Sequence, residues 1–187
     1  VKWNSHSALA GQHAFLSASN YHWLNYDTAK LTERYLRQQA VQRGTDLHAL
    51  ACEHVRLGIK MGRTRNTFSM YVNDALGYRM KPEQVLYYSP NCFGTADAIG
   101  FDNGYLRIHD LKTGEGDTSM HQLEIYAALF CLEYGYKPEE LSGIELRIYQ
   151  NNEVRTETPT PDTIARIMDI IVRFDREIEK LKSDDDR

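Results

Sequence analysis

The spacing of apolar residues changes several times along the chain, and each change predicts an element. Val1 to Asn25 has no clear period and reads as an irregular arm leading into a short helix near Ser19 to Tyr26. Thr28 to Gln42, rich in Lys, Arg, Glu, Gln and Leu, reads as a helix, with Gly44 as the break after it. Thr45 or Asp46 then caps a second helix, about Asp46 to Met61, on which His48, Cys52, Val55 and Ile59 share one stripe. Thr64 to Gly77 continues as helix, Gln84 to Tyr88 is a strand, and Ser89-Pro90-Asn91 turns it into a hairpin over Phe93 to Thr113. Beyond a loop at Gly114 to Asp117, Ser119 to Tyr134 is a helix with Gln122, Ile125, Tyr126 and Leu129 on one side. Leu141 to Gln150 is a strand, paired with Val154 to Thr158 across Asn151-Asn152. Pro161 opens a C-terminal helix through Leu181, with Ile164, Ile167, Met168, Ile171 and Phe174 as its buried stripe. With no internal repeat or low-complexity linker, the pattern predicts one α/β domain over residues 1–187. It has a helical part over 1–80, a core over 81–160 built on a central mixed β-sheet flanked by helices, and a last helix over 161–182.

The hairpin carries the chemistry. Asn103-Gly104 is the pair favoured at the centre of a two-residue type I′ turn, which needs positive φ at both positions. With those residues in the turn, Asp102 faces Tyr105, and counting outward brings Asp97 opposite Asp110. Theirs is a non-hydrogen-bonded pair, with Cα atoms about 4.5 Å apart. Two carboxylates so placed repel each other unless a cation lies between them. Lys112 shares the face of Asp110 by alternation, so two acids and an ammonium gather in the shape of a divalent-metal site. An exposed hairpin with its charges in water is the plain alternative; against it, the same face carries Phe93, Ile99, Leu106 and Ile108. On the opposite face Gly94, Ala96, Ala98 and Gly100 are all small, which predicts close approach of a helix or another backbone. His48 on its apolar stripe reads as a hydrogen-bonded core residue before it reads as a ligand. Glu53 reads as the ion-pair partner of Arg56 and Lys60, and Gln122 and Tyr126 as polar groups that satisfy the core or reach a site.

Composition narrows the class. The chain is 26% charged and 42% hydrophobic, a globular composition, and at 187 residues it can bury most of its unfolded surface. No apolar run nears the roughly 20 residues that span a bilayer, no signal-peptide core is seen, and the expected location is a reducing cytoplasm. Cys52, Cys92 and Cys131 are widely spaced with no C-x-x-C, which argues against a disulfide framework, a zinc ribbon or a four-cysteine iron–sulfur cluster. A net charge of −4 does not advertise nucleic-acid binding, yet acids at a metal site and in the Asp184-Asp185-Asp186 tail would mask it. Arg56, Lys60, Arg63 and Arg65 form a local basic run, either a phosphate contact or a solvated helix end.

In chain order, Gly44-Thr45-Asp46-Leu47-His48, Gly94-Thr95-Ala96-Asp97, Asp110-Leu111-Lys112 and Gln122 through Tyr126 spell G-T-x-x-H, G-T-x-D, D-x-K and Q-x-x-x-Y. This series resembles the PD-(D/E)XK nuclease superfamily, and within it the RecB-like and phage-encoded exonuclease domains. Leu16-Ser17-Ala18-Ser19 with Trp23 is similar to the entry segment of the phage group, and the likeness covers about residues 16–135. It implies a restriction-endonuclease-like core and a metal-dependent DNA nuclease, an exonuclease more than a sequence-specific endonuclease. Phage or bacterial DNA recombination, repair or processing would be its setting, in the host cytoplasm if the chain is phage-encoded. The implied cofactor is Mg²⁺ or Mn²⁺, with Asp97, Asp110 and the Leu111 carbonyl as oxygen ligands. His48 would be the extra ligand that favours manganese, because imidazole is softer. Lys112 would position or activate the attacking water, and Gln122 and Tyr126 would orient DNA or the lysine. DNA is the implied partner, with a homo-oligomer or a recombination protein as a further candidate. Tyr26 stands where some phage relatives have cysteine, so no iron–sulfur cluster is expected. The competing reading is a catalytically silent nucleic-acid-binding or protein-interaction module on the same fold. A different hydrolase has little support, since no Ser-His-Asp pattern, Walker A motif or H-E-x-x-H is present.

Overall fold

Asn103 and Gly104 adopt φ of 49° and 79°, so the expected turn forms and fixes the strands on either side of it. These are β2 (Cys92–Asp102) and β3 (Tyr105–Leu111), paired from Asp102↔Tyr105 to Ala98↔His109. The computed structural model describes residues 6–9 and 12–185. It divides into two compact units, Val1–Thr45 and Asp46–Arg187.

In the first unit, the short helix expected near Ser19 to Tyr26 is a 3-10 helix at Tyr21–Asn25, and a second 3-10 helix at Ser7–Leu9 interrupts the expected irregular arm. Residues 12–20 are irregular as expected, while residues 1–5 and 10–11 of the arm lie outside the described residues, as does Asp186 of the acidic tail. Asp27 Oδ1 accepts the Lys30 N–H at 2.8 Å, and the helix α1 (Thr28–Leu57) begins there. Contrary to the expected break, α1 is continuous over Gly44. One glycine costs about 1 kcal/mol against alanine, too little to end a long helix. Thr45 does not cap a new one, because its hydroxyl donates to the Val41 carbonyl at 3.2 Å.

In the second unit, Asn66 Oδ1 accepts the N–H groups of Phe68 and Ser69 and starts α2 (Thr67–Gly77), three residues later than the sequence pattern predicts. With β1 (Lys81–Ser89), β4 (Gly143–Gln150) and β5 (Glu153–Glu157), the strands form one sheet in the order β1-β2-β3-β4-β5. Only the β3–β4 pair is parallel, and α3 (His121–Tyr134) lies in the crossover such a pair needs. Asn151 and Asn152, both at positive φ, turn β4 into β5 as expected.

Each face of the sheet holds a core. On one, Leu106, Ile108, Leu146 and Ile148 meet Leu123, Ala127 and Ala128 of α3 and Ile164 of α4 (Pro161–Asp185). On the other, Ala98, Leu111 and Tyr149 meet Ala51, Val55, Tyr71 and Val72. The α/β mixed sheet flanked by helices is therefore observed. Three expected stripe residues are not buried: Ile59, beyond the end of α1 at Leu57, is 45% exposed, Ile125 41% and Phe174 56%. The small Ala127 and Ala128 let α3 turn Leu123, Ala127 and Phe130 inward instead of Ile125. Past Ile171, α4 makes polar contacts, Asp175 and Glu179 accepting from Ser89 and Asn91 of the β1–β2 turn. Among the described residues, no helix is long and apolar enough to cross a membrane.

Candidate active site

The site begins where the sheet is irregular. Pro82↔Ala98 and Gln84↔Ala96 keep one register, but Glu83 and Asp97 between them do not pair, and Glu83 takes φ of 47°. Strict alternation fails at this point: Ala96 joins the core under α3 and Ala98 the core under α2. The all-small face expected of β2 is thus split between the two sides of the sheet. A Cβ on Gly94 would meet Tyr126 Cε1 at 2.9 Å, while one on Gly100 would meet Met80 Cγ at 3.3 Å. The same irregularity separates Phe93 from Ile99, Leu106 and Ile108, with which alternation grouped it: Phe93 is 61% exposed and the other three are buried.

On its other edge β2 parts from β3 one pair before the acids. The ladder ends at Ala98↔His109, so Asp97 and Asp110 are not the cross-strand pair that counting predicts. Instead the Leu111 N–H donates to Asp97 Oδ2 at 2.8 Å, and the Lys112 N–H goes to the Tyr149 carbonyl at 2.9 Å. A side-chain oxygen of Asp97 has taken the place of a backbone acceptor, which accounts for the opening of the ladder.

The remaining motif residues converge on this opening. Lys112 Nζ lies 2.9 Å from Asp110 Oδ2 and donates to Gln122 Oε1 at 2.8 Å. Gln122 Nε2 donates to the Tyr126 hydroxyl at 3.0 Å, an i,i+4 contact on α3. His48 on α1 places Nδ1 at 3.5 Å from Asp97 Oδ2, half-buried beside Cys52 and Val55 of its stripe, which are buried. Glu53 pairs with Arg56 at 3.4 Å, and Arg56 also reaches Glu83 at 3.6 Å, so Glu53 is a structural ion-pair residue here.

Electrostatically the site is unbalanced. Burial, then the neighbouring Asp110, pushes the Asp97 carboxyl up to about 6, against the Leu111 N–H, His48 and Lys112. Asp110 is 2% exposed, and its Oδ2 is buried without an aligned hydrogen bond, the Lys112 ammonium being close but off-axis. Two acids face one lysine. Among the described residues, no group of three or more His, Cys, Asp or Glu side chains is arranged to hold a metal ion. Asp97 Oδ2 is engaged by the Leu111 N–H and Asp110 Oδ2 by Lys112, at the positions from which they would bind one. An under-satisfied buried oxygen and a second carboxylate raised by burial and then by like charge still fit a hard divalent cation, to which Asp97, Asp110, the Leu111 carbonyl and His48 could offer oxygen and nitrogen donors.

Two neighbours escape a reading of the sequence. Tyr71 of α2 is 2% exposed, and burial, then Asp97 and Asp110, pushes its phenol up. As one aromatic residue on an ordinary amphipathic helix, it carries no sequence signal. A cleft of about 840 Å³ opens beside Leu111 and Lys112, walled by Leu47, Leu50, Met61 and Phe68. Arg56, in the last turn of α1, is the one member of the basic run with ion pairs among the described residues; Lys60, Arg63 and Arg65 are exposed in the loop between α1 and α2. Comparison of the chain with family models, curated proteins and solved structures gave no match.

Proposed function

We propose that the chain is a metal-dependent deoxyribonuclease of the PD-(D/E)XK type, RecB-like and acting as an exonuclease, with Mg²⁺ or Mn²⁺ as cofactor. One observation carries the reading: residues from four separate stretches, His48, Asp97, Asp110-Leu111-Lys112 and Gln122 with Tyr126, meet through contacts of 2.8–3.5 Å at one opening in the sheet. Asp97, Asp110, the Leu111 carbonyl and His48 would hold the ion. Such an ion, when bound, lowers the pKa of its water and neutralises charge on phosphoryl oxygens.

The chain's own groups do the rest. Asp110 and Gln122 fix the Lys112 ammonium from two sides, so its positive charge stands ready where a phosphodiester gains negative charge. Tyr126 anchors Gln122, and burial, which pushes its phenol up, keeps the hydroxyl neutral. Its ring packs where Gly94 leaves no side chain. The test is hydrolysis of linear DNA with Mg²⁺ or Mn²⁺ by Lys112→Ala and Asp110→Ala. Each is expected to lose on the order of 10²–10³-fold in rate; parental rates in both variants would refute the reading.

A further inference from the structure

The first unit carries two adjoining cavities of about 410 and 480 Å³ whose walls share Asn20, Tyr26 and Arg34. Their lining is chemically one-sided. Phe15, Trp23 and Tyr26 supply rings, Lys30, Arg34 and Arg37 supply cations, and among the described residues no Asp or Glu lines either cavity, in a chain whose net charge is −4. The three cations stand at spacings of four and three on α1, which puts them on one helix face. They span about 10 Å along it. Arg34 and Arg37 make no side-chain hydrogen bond or ion pair among the described residues, and Lys30 Nζ lies 5.4 Å from the Tyr26 ring centroid. The Trp23 indole N–H already donates to the Ser17 carbonyl at 2.8 Å, so its polar edge is satisfied and the ring remains for contact.

We propose that these cavities are a binding site for single-stranded nucleic acid, its phosphates on Lys30, Arg34 and Arg37 and its bases against Phe15, Trp23 and Tyr26. A row of cations selects a polyanion. Aromatic walls select one whose ring faces are free, and in a duplex those faces are already stacked. The site stands whether or not the carboxylate cluster hydrolyses what is bound.

The test uses the whole chain in chelator, so that no strand is cut, with an oligothymidylate about 12 nucleotides long as the probe. Trp23 fluorescence, taken as the difference between the parent and Trp23→Phe, is expected to be quenched on binding. The Arg34→Ala/Arg37→Ala double variant should bind at least about tenfold more weakly, and its logarithmic salt dependence should flatten by about 1.4. Arg34→Lys/Arg37→Lys should keep the salt dependence, which separates lost charge from lost folding. Parental affinity in the alanine variant overturns the proposal. So does equally tight binding of inorganic polyphosphate through the same arginines, which would reduce the site to an anion patch, or of a blunt duplex of equal length. Hydrolysis by the parent without Trp23 quenching would sink this site alone, whereas quenching without hydrolysis would sink only the nuclease reading.

Discussion

His109 and Asp110 are consecutive in β3 and both buried, yet alternation sends them to opposite faces of the sheet and into opposite kinds of polar cluster. On the His109 side, Glu145 Oε1 lies 3.5 Å from Arg107 Nε, 3.8 Å from His109 Nε2 and 3.1 Å from Arg147 Nε. Arg147 also reaches Asp74 at 3.3 Å, and Asp74 accepts the Tyr149 hydroxyl at 2.7 Å. Arg107 stacks between Tyr78 and Tyr105 at 4.4 and 4.3 Å. Two arginines therefore face two acids, and His109 stays neutral: burial, then Arg147 and Arg107, pulls its imidazole down to about 3. On the Asp110 side, two acids face one lysine. Both clusters are buried, so burial alone does not mark a functional site. What sets the Asp110 end apart is an uncompensated charge.

The largest expected effect separates the two clusters by stability. Glu145→Ala strands two guanidinium groups and should cost about 3–5 kcal/mol. Asp110→Ala removes one of two repelling acids and should cost less than half of that, read by denaturant unfolding in chelator. Equal losses would erase the distinction.

The sequence carried one side of this contrast and hid the other. Asn103-Gly104 has few conformations open to it, so the register from Asp102 to Ala98 could be counted residue by residue. Nothing in a glutamate announces φ of 47°, so the irregularity at Glu83 was not legible, and neither was the split of Gly94 and Ala96 from Ala98 and Gly100. Lys112, Gln122 and Tyr126 were legible because strand alternation and i,i+4 spacing are local rules. The pairing of Glu145 with Arg107, His109 and Arg147 depends on the β3–β4 register across a crossover, which no local rule supplies.

A smaller effect comes from pH. His109, held below its ordinary value, contributes stability that is present above about 6.5 and lost as pH falls toward 3. Asp97, held above its ordinary value, contributes stability that is present below about 4 and lost as pH rises through 6. Between pH 4 and 6 the two oppose each other, one proton against one. Asp97→Asn keeps an acceptor for the Leu111 N–H and removes one of the two titrations. The variant is expected to be more stable than the parent at pH 7 in chelator and to lose about 1.4 kcal/mol per pH unit on acidification from 6 to 4. The parent should be nearly flat over that window. Parallel curves for the two proteins would mean that Asp97 titrates normally.

The most direct test of an unbalanced carboxylate pair is a titration with Mn²⁺, followed by the loss of free-ion signal in electron paramagnetic resonance. One ion should bind the parent, and Asp97→Asn and Asp110→Asn should each weaken it by at least about tenfold through the loss of ligand charge. Binding that is undiminished in both variants, or no binding by the parent at millimolar Mn²⁺, would contradict the account.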